Sequence, residues 1–117
     1  MANYLLLLYD DPSRRKTLSP AEMQPIVAKY MAWADGMRSK GWVGNKLADD
    51  HGRVLRSTGG KPRVTDGPYS ETKEVLGGYF QIEASSYDEA VKHAMTCPHM
   101  EYGGTIEVRI IENLRDR

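Results

Sequence analysis

The chain has few of the features that mark secreted, membrane or nucleic-acid-binding proteins. Its 117 residues include one cysteine, Cys97, which cannot form an internal disulfide, so we expect a reducing compartment and take the cytoplasm as its location. Sixteen Lys and Arg residues balance sixteen Asp and Glu residues. A formal net charge of zero removes the attraction on which non-specific nucleic-acid binding depends, so we expect no nucleic-acid partner. The apolar run within residues 4–9 is too short for a membrane span and indicates a buried strand.

The common motifs of nucleotide-binding and hydrolytic enzymes are also missing. There is no G-x-G-x-x-G, no P-loop and no G-x-S-x-G, and Gly77-Gly78 lies inside a strand pattern rather than in a phosphate-binding loop. Cys97 and His99 stand close together, with His93 one helical turn before the cysteine, but adjacent residues rarely converge on one ion. The pattern favours a buried cysteine and a loop histidine, so we expect neither a metal nor a cofactor.

The clearest helix start lies at Ser19, where Glu22 can complete a capping box. Apolar residues then recur with helical spacing, and Gly41 follows as a stop signal. Pro25 conflicts with this pattern because it lacks a backbone donor. The helix therefore either kinks at Pro25 or has its regular part start near Gln24.

The order of the remaining elements indicates one α+β domain over residues 1–117. The order β-α-β-hairpin-β-α-β predicts an antiparallel sheet with both helices on one face. The further elements that the patterns predict are strands at residues 45–48, 75–84 and 105–111, a hairpin of residues 53–57 and 61–65 around Gly59-Gly60, and a second helix that a capping box opens at Ser86 and Pro98 ends.

The first strand is apolar on both of its faces. Leu5 and Leu7 point to one side, and Tyr4, Leu6 and Leu8 point to the other. A strand of this kind is normally buried on both faces, and two helices can cover only one of them. We therefore expect a homodimer in which two sheets stack face to face and enclose a mixed polar and apolar space.

Residues 66–80, with the sequence DGPYSETKEVLGGYF, resemble the DGPF signature of YCII-related proteins, in which Phe usually stands at the position of Tyr69. Residues 86–90, Cys97-Pro98 and residues 106–109 also resemble that family, so the resemblance covers essentially the whole chain. It implies a ferredoxin-like fold that pairs into a dimeric α/β barrel. This agrees with the expectation from the two-faced first strand.

The resemblance implies little about a reaction. Distant YCII relatives include proposed enzymes that act on small ring compounds through a histidine on the first helix and an aspartate before the proline that follows the second helix. This chain has no histidine before His51, and Cys97 stands at the position of the aspartate, so that pair does not carry over. DGPF proteins also resemble neighbours of extracytoplasmic-function sigma factors in bacterial genomes, which suggests a regulatory role.

The DGPF segment supplies one group of candidate residues. Asp66, Tyr69 and Glu71 are candidate catalytic residues and Lys73 is a candidate ligand-binding residue, since they offer acids, a phenol and an amine that could line the mouth of the space between the sheets. The alternative is that Asp66 belongs to a turn and that the charged residues after it form a solvated helical face.

The sheet face away from the helices supplies a second group. Tyr79, Glu107 and Arg109 are candidate ligand-binding residues, and Glu107 and Arg109 would reach Glu83 and Tyr79 if their strands pair. A buried arginine needs a carboxylate partner, and its remaining donors could bind an anionic ligand. The alternative is a structural ion pair that stabilises the dimer, because buried charges are normally paired.

Two functions remain open. In the first, a homodimer binds or acts on a small polar molecule between its sheets by acid–base chemistry, with a carboxylate as base and without a cofactor. In the second, the chain is a non-catalytic interaction or regulatory protein associated with an extracytoplasmic-function sigma factor system, and the DGPF segment is its contact surface. The polar residues of the inward face favour the first function, because a plain dimer seam needs fewer of them.

Overall fold

A computed structural model describes residues 1–50, 52–66 and 74–116 of the chain. Within them, strands and helices alternate in the order that the sequence predicts, and the α+β class with an antiparallel sheet and two helices is confirmed. Short 3₁₀ turns join some of these elements. The strands and helices are β1 (Ala2–Asp10), α1 (Pro20–Ser39), β2 (Val43–Lys46), β3 (Arg53–Thr58), β4 (Lys61–Asp66), β5 (Val75–Ala84), α2 (Tyr87–Met95) and β6 (Thr105–Ile110).

β1 lies in the middle of a four-stranded antiparallel sheet with the order β2-β5-β1-β6. Its central residue Leu6 pairs with Phe80 of β5 on one side and with Val108 of β6 on the other. The apolar strand therefore occupies an interior position, where both of its edges are hydrogen-bonded. The sequence predicted that Glu107 and Arg109 would reach Tyr79 directly if their strands pair. β5 and β6 are not neighbours in the sheet, so this condition is not met.

Both helices begin with a serine cap. The backbone N–H of Glu22 donates to the hydroxyl of Ser19, and the Glu22 carboxylate accepts from the backbone N–H of Ser19, both at 3.1 Å, so the first capping box is confirmed. α1 runs without interruption through Pro25, and the alternative start near Gln24 is wrong. No described helix is long and apolar enough to cross a lipid bilayer.

The start of α2 departs from the predicted capping box. The backbone N–H of Glu89 donates to the Ser86 hydroxyl at 3.2 Å, as expected. The Glu89 carboxylate, however, accepts from the backbone N–H and the hydroxyl of Ser85, at 3.1 and 2.8 Å, instead of from the backbone of Ser86. Ser85 offers two donors to the carboxylate, which explains why this arrangement is favoured. α2 ends at Met95, before Pro98.

The core lies between one face of the sheet and the two helices. Leu6 and Ile82 are its largest fully buried side chains. On this face the sheet contributes alternate residues of β1 and β5, as the period-2 pattern requires. The other buried apolar residues of the core are Tyr4, Leu8, Met37, Phe80, Ala84, Ala90, Ala94 and Cys97.

β2 lies two residues earlier than the predicted strand at residues 45–48. Gly44 pairs with Phe80, and a Cβ at Gly44 would lie well inside van der Waals contact with the Phe80 ring and with the Tyr79 carbonyl oxygen. Only a glycine permits this close approach, so the position of Gly44 determines the register of β2. The prediction missed it because the tight contact involves β5, more than thirty residues away.

β3 and β4 form a separate two-stranded sheet. Every residue of β4 is exposed, and in β3 only Val54 is partly covered. The radius of gyration of the chain is 16.5 Å, whereas a compact domain of this length has about 13 Å. The hairpin therefore extends the molecule instead of adding to its core.

Candidate functional site

Among the described residues, no helix covers one face of the sheet, which we call the open face. Alternation along the strands assigns residues to it, because neighbours in a strand point to opposite sides. Its central strand contributes Leu5 and Leu7, which are partly buried. Around them lie mostly polar side chains. The other residues that the strand pairing places on the open face are Asn3, Tyr9, Val43, Asn45, Leu76, Tyr79, Gln81, Glu83, Thr105, Glu107 and Arg109.

The backbone register arranges the centre of the open face in two rows. Leu7 lies between Tyr79 of β5 and Glu107 of β6. In the next row, Leu5 lies between Gln81 and Arg109. The sequence-predicted ligand residues Tyr79, Glu107 and Arg109 thus share one face, but a leucine separates Tyr79 from both charged residues. The centre of the face is apolar and its sides are polar.

A phenol and a carboxylate meet on the open face. The Tyr9 hydroxyl donates to Oε1 of Glu107 at 3.3 Å. Burial, followed by the charge of Glu107 and this hydrogen bond, raises the pKa of Tyr9 above its usual value, while the charge of Arg109 acts in the opposite direction. Tyr9 therefore stays protonated near neutral pH and can act as a donor beside the carboxylate.

Arg109 lies close to this pair and is exposed. Among the side chains that the structure describes, its guanidinium forms no salt bridge, so the expected carboxylate partner is not found there. On the opposite side of the face, the Asn45 amide donates to the Tyr79 hydroxyl at 3.3 Å. The open face thus carries a charged donor on one side and a neutral amide–phenol pair on the other.

A cavity of about 260 Å³ opens at one end of the same sheet, where β1 and β2 begin and β5 approaches its end. Polar side chains of β1 and β5 line it together with the loop that follows α1. Its lining residues are Asn3, Gly41, Trp42, Val43, Gln81, Ile82 and Glu83.

The candidate residues of the DGPF segment are only partly described. Asp66 ends β4, is exposed, and forms a 3.5 Å ion pair with Arg53 on the paired strand. Tyr69, Glu71 and Lys73 lie outside the described residues. The described residues resume at Glu74, whose carboxylate accepts a 2.9 Å hydrogen bond from the Thr105 hydroxyl of β6.

A buried histidine near the site was not predicted. His99 is only 5% exposed, although the sequence indicated a loop histidine. Its Nε2 lies 2.6 Å from the carbonyl oxygen of Tyr9, and its Nδ1 lies 2.6 Å from the Tyr30 hydroxyl. A carbonyl only accepts, so Nε2 carries the proton and Tyr30 donates to Nδ1. Burial lowers the pKa of His99 and raises that of Tyr30 to about 12, so this unit is neutral and structural.

Cys97 is buried, as predicted, and burial raises the pKa of its thiol to about 11. Among the described residues, no three His, Cys, Asp or Glu side chains are grouped so that they could hold a metal ion.

An ion-pair network fastens the end of β1 near Tyr9. Arg15 pairs with Asp10 and donates to both carboxylate oxygens of Asp49, at 3.1 and 3.0 Å. Lys46 adds a second cation to Asp49 at 3.1 Å. Burial alone would raise the pKa of Asp49, but the hydrogen bonds from Lys46 and Arg15 outweigh it and lower the pKa. The exposed loop after β2 is therefore tied to β1.

Comparison with known proteins agrees with the resemblance that the DGPF segment carries. Residues 2–115 match the family model of the YCII-related domain. The chain is also similar to "Uncharacterized protein R00369" of Rhizobium meliloti (strain 1021), with 30% identity over 110 residues that cover 91% of this chain and 89% of that protein. The family match extends over almost the whole chain, well beyond the DGPF segment itself. This chain belongs to the family of YCII-related domain proteins.

Proposed function

We propose that this YCII-related protein is a homodimer that binds a small polar molecule between two facing sheets and acts on it by acid–base chemistry without a cofactor. The open face carries this proposal, because it combines an apolar centre, Leu5 and Leu7, with a hydrogen-bonded Tyr9–Glu107 pair and an exposed Arg109. Ligand pockets in proteins typically have such apolar walls and a few polar groups that orient the ligand.

The exposed surface supports dimerisation. The chain exposes 8366 Å², whereas a compact monomer of 13.2 kDa exposes about 6,400 Å². The excess of about 2,000 Å² per chain is more than the roughly 800 Å² that each partner contributes to a standard interface. A second copy on the open face would cover part of this excess, and β1 would then be buried on both of its faces.

The strand order supports the finer fold assignment as well. The order β2-β5-β1-β6, with one helix between β1 and β2 and another between β5 and β6, is the arrangement expected of a ferredoxin-like fold. In the proposed dimer, two such sheets face each other as an α/β barrel. The hairpin of β3 and β4 is an insertion into that plan between β2 and β5.

Within the proposed space, the polar groups have distinct roles. Glu107 is the candidate general base, since a carboxylate accepts a proton without a cofactor, and Tyr9 holds it in position. Arg109 would bind an anionic group of the ligand through its donor fork. Tyr79 would contact the ligand from β5. The DGPF residues Asp66, Tyr69, Glu71 and Lys73 remain candidates for the mouth of the space.

The first test is the mass of the protein in solution at micromolar concentration. We expect twice 13.2 kDa for the unmodified chain and a monomer for Leu7→Arg, which places a charge in the centre of the open face. Met31→Arg is the matched control, because Met31 is exposed on α1, away from the open face, and this variant should stay dimeric. The double variant Leu5→Gln/Leu7→Gln repeats the test in case Leu7→Arg misfolds, and circular dichroism checks that the double variant is folded.

Ligand binding is tested separately by calorimetric titration of the dimer with small carboxylates and phosphates. Arg109→Gln should abolish the binding of an anionic ligand and leave the mass unchanged. If Arg109→Gln instead breaks the dimer, the arginine is a structural ion-pair partner. A monomeric unmodified protein that binds none of these compounds would contradict the proposal and would favour a non-catalytic interaction partner of a sigma factor system.

A further inference from the structure

The β3–β4 hairpin has two chemically different faces. Cross-strand pairing places Leu55 opposite Val64, and alternation places Pro62 on the same face. The other face carries Arg56 directly opposite Arg63, with Lys61 in the following pair. The middle of the hairpin is thus amphipathic, although among the described residues the hairpin pairs with no strand of the main sheet. At its open end the ion-paired Arg53 and Asp66 share the face of Leu55, and Val54 shares the face of the arginines.

The described part of the chain leaves the apolar face of the hairpin largely uncovered. Leu55 is 67% exposed and Val64 is 61% exposed. Isolated two-stranded hairpins are at best marginally stable in water and gain stability by packing a hydrophobic face against something else. A directly paired, exposed Leu–Val contact in the middle of such a hairpin therefore indicates a surface that a partner covers.

The basic face is unfavourable in isolation. Like charges that lie directly opposite each other on a sheet destabilise the pairing, and Arg56 and Arg63 are in this position. Arg53, which lies on the other face at the open end of the hairpin, already has the carboxylate of Asp66 at 3.5 Å. The two central arginines have no such partner among the residues that the structure describes. Carboxylates supplied from outside would relieve their repulsion.

The distribution of charge shows which kind of partner fits. The hairpin holds four basic residues and one acidic residue, a net charge of +3. The whole chain holds sixteen of each, so the remainder holds twelve basic and fifteen acidic residues, a net charge of −3. Hairpin and remainder are therefore complementary between two copies of the chain. A two-fold symmetric dimer forms such a contact twice, because each hairpin meets the same surface of the other copy.

The size of the exposed surface agrees with a second copy. A standard interface takes roughly 800 Å² of accessible surface from each partner. This is well below the excess of about 2,000 Å² that the chain exposes over a compact monomer. Sheet stacking alone leaves much of this excess surface uncovered. The extended hairpin contributes part of the uncovered surface.

We propose that the β3–β4 hairpin is a docking arm that inserts into a second copy of the chain, so that Leu55 and Val64 on one face pack against that copy while Arg56 and Arg63 on the opposite face pair with its carboxylates. The inference rests on the proposed homodimer and adds to it a second contact, outside the stacked sheets. Opposite charges of the two copies would steer the arm and set the register of the dimer.

Charge reversal tests the arm. We expect Arg56→Glu/Arg63→Glu to raise the dimer dissociation constant at least about tenfold in sedimentation experiments at low salt. Lys16→Glu/Lys92→Glu is the matched control, since both lysines are exposed outside the hairpin and the change in net charge is the same. The single variant Arg56→Glu adds a second test, because it creates an opposite-charge pair with Arg63 that stabilises the hairpin itself while weakening its contact with the other copy.

A photo-crosslinking residue at position 55 identifies what the arm touches. The experiment uses a mixture of isotope-labelled and unlabelled full-length chains, so that mass spectrometry separates crosslinks between copies from those within one copy. Mixed-isotope crosslinks at position 55 would support the arm. Crosslinks within one copy alone, or equal dissociation constants for the reversal and control variants, would overturn it.

The two proposals fail in different ways. If the open face does not form the dimer, Leu7→Arg leaves the mass unchanged whatever the hairpin variants do. If the sheets stack but the arm does not dock, Leu7→Arg yields monomers while Arg56→Glu/Arg63→Glu and its lysine control behave alike. Binding of the hairpin to an added acidic polymer, without an effect of the reversal on the dimer, also counts against the arm.

Discussion

Replacing Gly44 with alanine tests the register that builds one side of the open face. The added Cβ would lie inside van der Waals contact with the Phe80 ring and the Tyr79 carbonyl oxygen. Neither can move easily, because Phe80 is buried in edge-to-face contact with Trp33 and the carbonyl belongs to the backbone of β5. β2 would have to shift as a whole, and Asn45 would lose its hydrogen bond to Tyr79.

The expected cost follows from overpacking. Forcing a methyl group into a filled site costs about 1–3 kcal/mol, and we expect the upper part of this range because a backbone atom is one of the obstacles. For 117 residues, an unfolding entropy of about 0.25 kcal/mol/K makes each kcal/mol worth about 4 °C in melting temperature, so Gly44→Ala should lower Tm by about 8–12 °C.

Gly36→Ala is the control for Gly44→Ala. Gly36 lies in α1, and a Cβ there would meet nothing within 4 Å. Alanine is the better helix former by about 0.5–1 kcal/mol, so Tm should rise by about 2–4 °C. Calorimetry or circular dichroism on both variants measures the two shifts. A Gly44→Ala protein as stable as the unmodified chain would refute the close contact with Phe80 and, with it, the register of β2.

Three further outcomes are expected. The pKa of His99 is lowered in the folded protein, so the unfolded chain binds the proton more readily and the free energy of unfolding should fall as the pH drops below about 6.5. In denaturant titrations at pH 5–7, His99→Gln should make this pH dependence weaker. An unchanged pH dependence would contradict a neutral buried ring. Cys97 should react with a thiol reagent far more slowly in the native protein than in urea, because its pKa is raised to about 11 and it is buried; equal rates would contradict its burial. Ser19→Ala should cost about 1 kcal/mol of stability in urea titrations and Ser19→Asp much less, whereas equal losses would exclude the cap as the cause.

Local patterns predicted most of the elements because their signals lie within a few residues. The capping box at Ser19 and the alternation along β1 depend on neighbours in the sequence. The capping box is confirmed, and β1 alternates between buried residues and the partly buried Leu5 and Leu7. The exact position of β2 did not follow, since it depends on how a glycine fits against Phe80. The carboxylate of Glu89 accepts hydrogen bonds from Ser85 instead of from the backbone of Ser86, and no spacing rule distinguishes these adjacent donors.

The candidate site was harder to predict because its contacts join distant parts of the chain. Tyr9 and Glu107 are 98 residues apart, and Tyr30 and His99 are 69 apart. Each contact can be predicted only once the strand order is known, and the sequence leaves that order open. Asp66 illustrates the opposite case: the motif that contains it stands out in the sequence, yet its described ion pair with Arg53 lies within the hairpin.

The placement of charge on the open face bears directly on the proposed symmetry. In a two-fold dimer, residues near the axis meet their own copies, so charges placed there would repel each other. Leu5 and Leu7 occupy the centre of the face, where self-contact is favourable, whereas Glu107 and Arg109 lie on β6 at the edge of the sheet. Charges at the edge can meet groups of opposite sign on the other copy or on a ligand. The same reasoning applies to the hairpin, whose basic residues would repel a second hairpin and therefore require an acidic surface elsewhere on the partner.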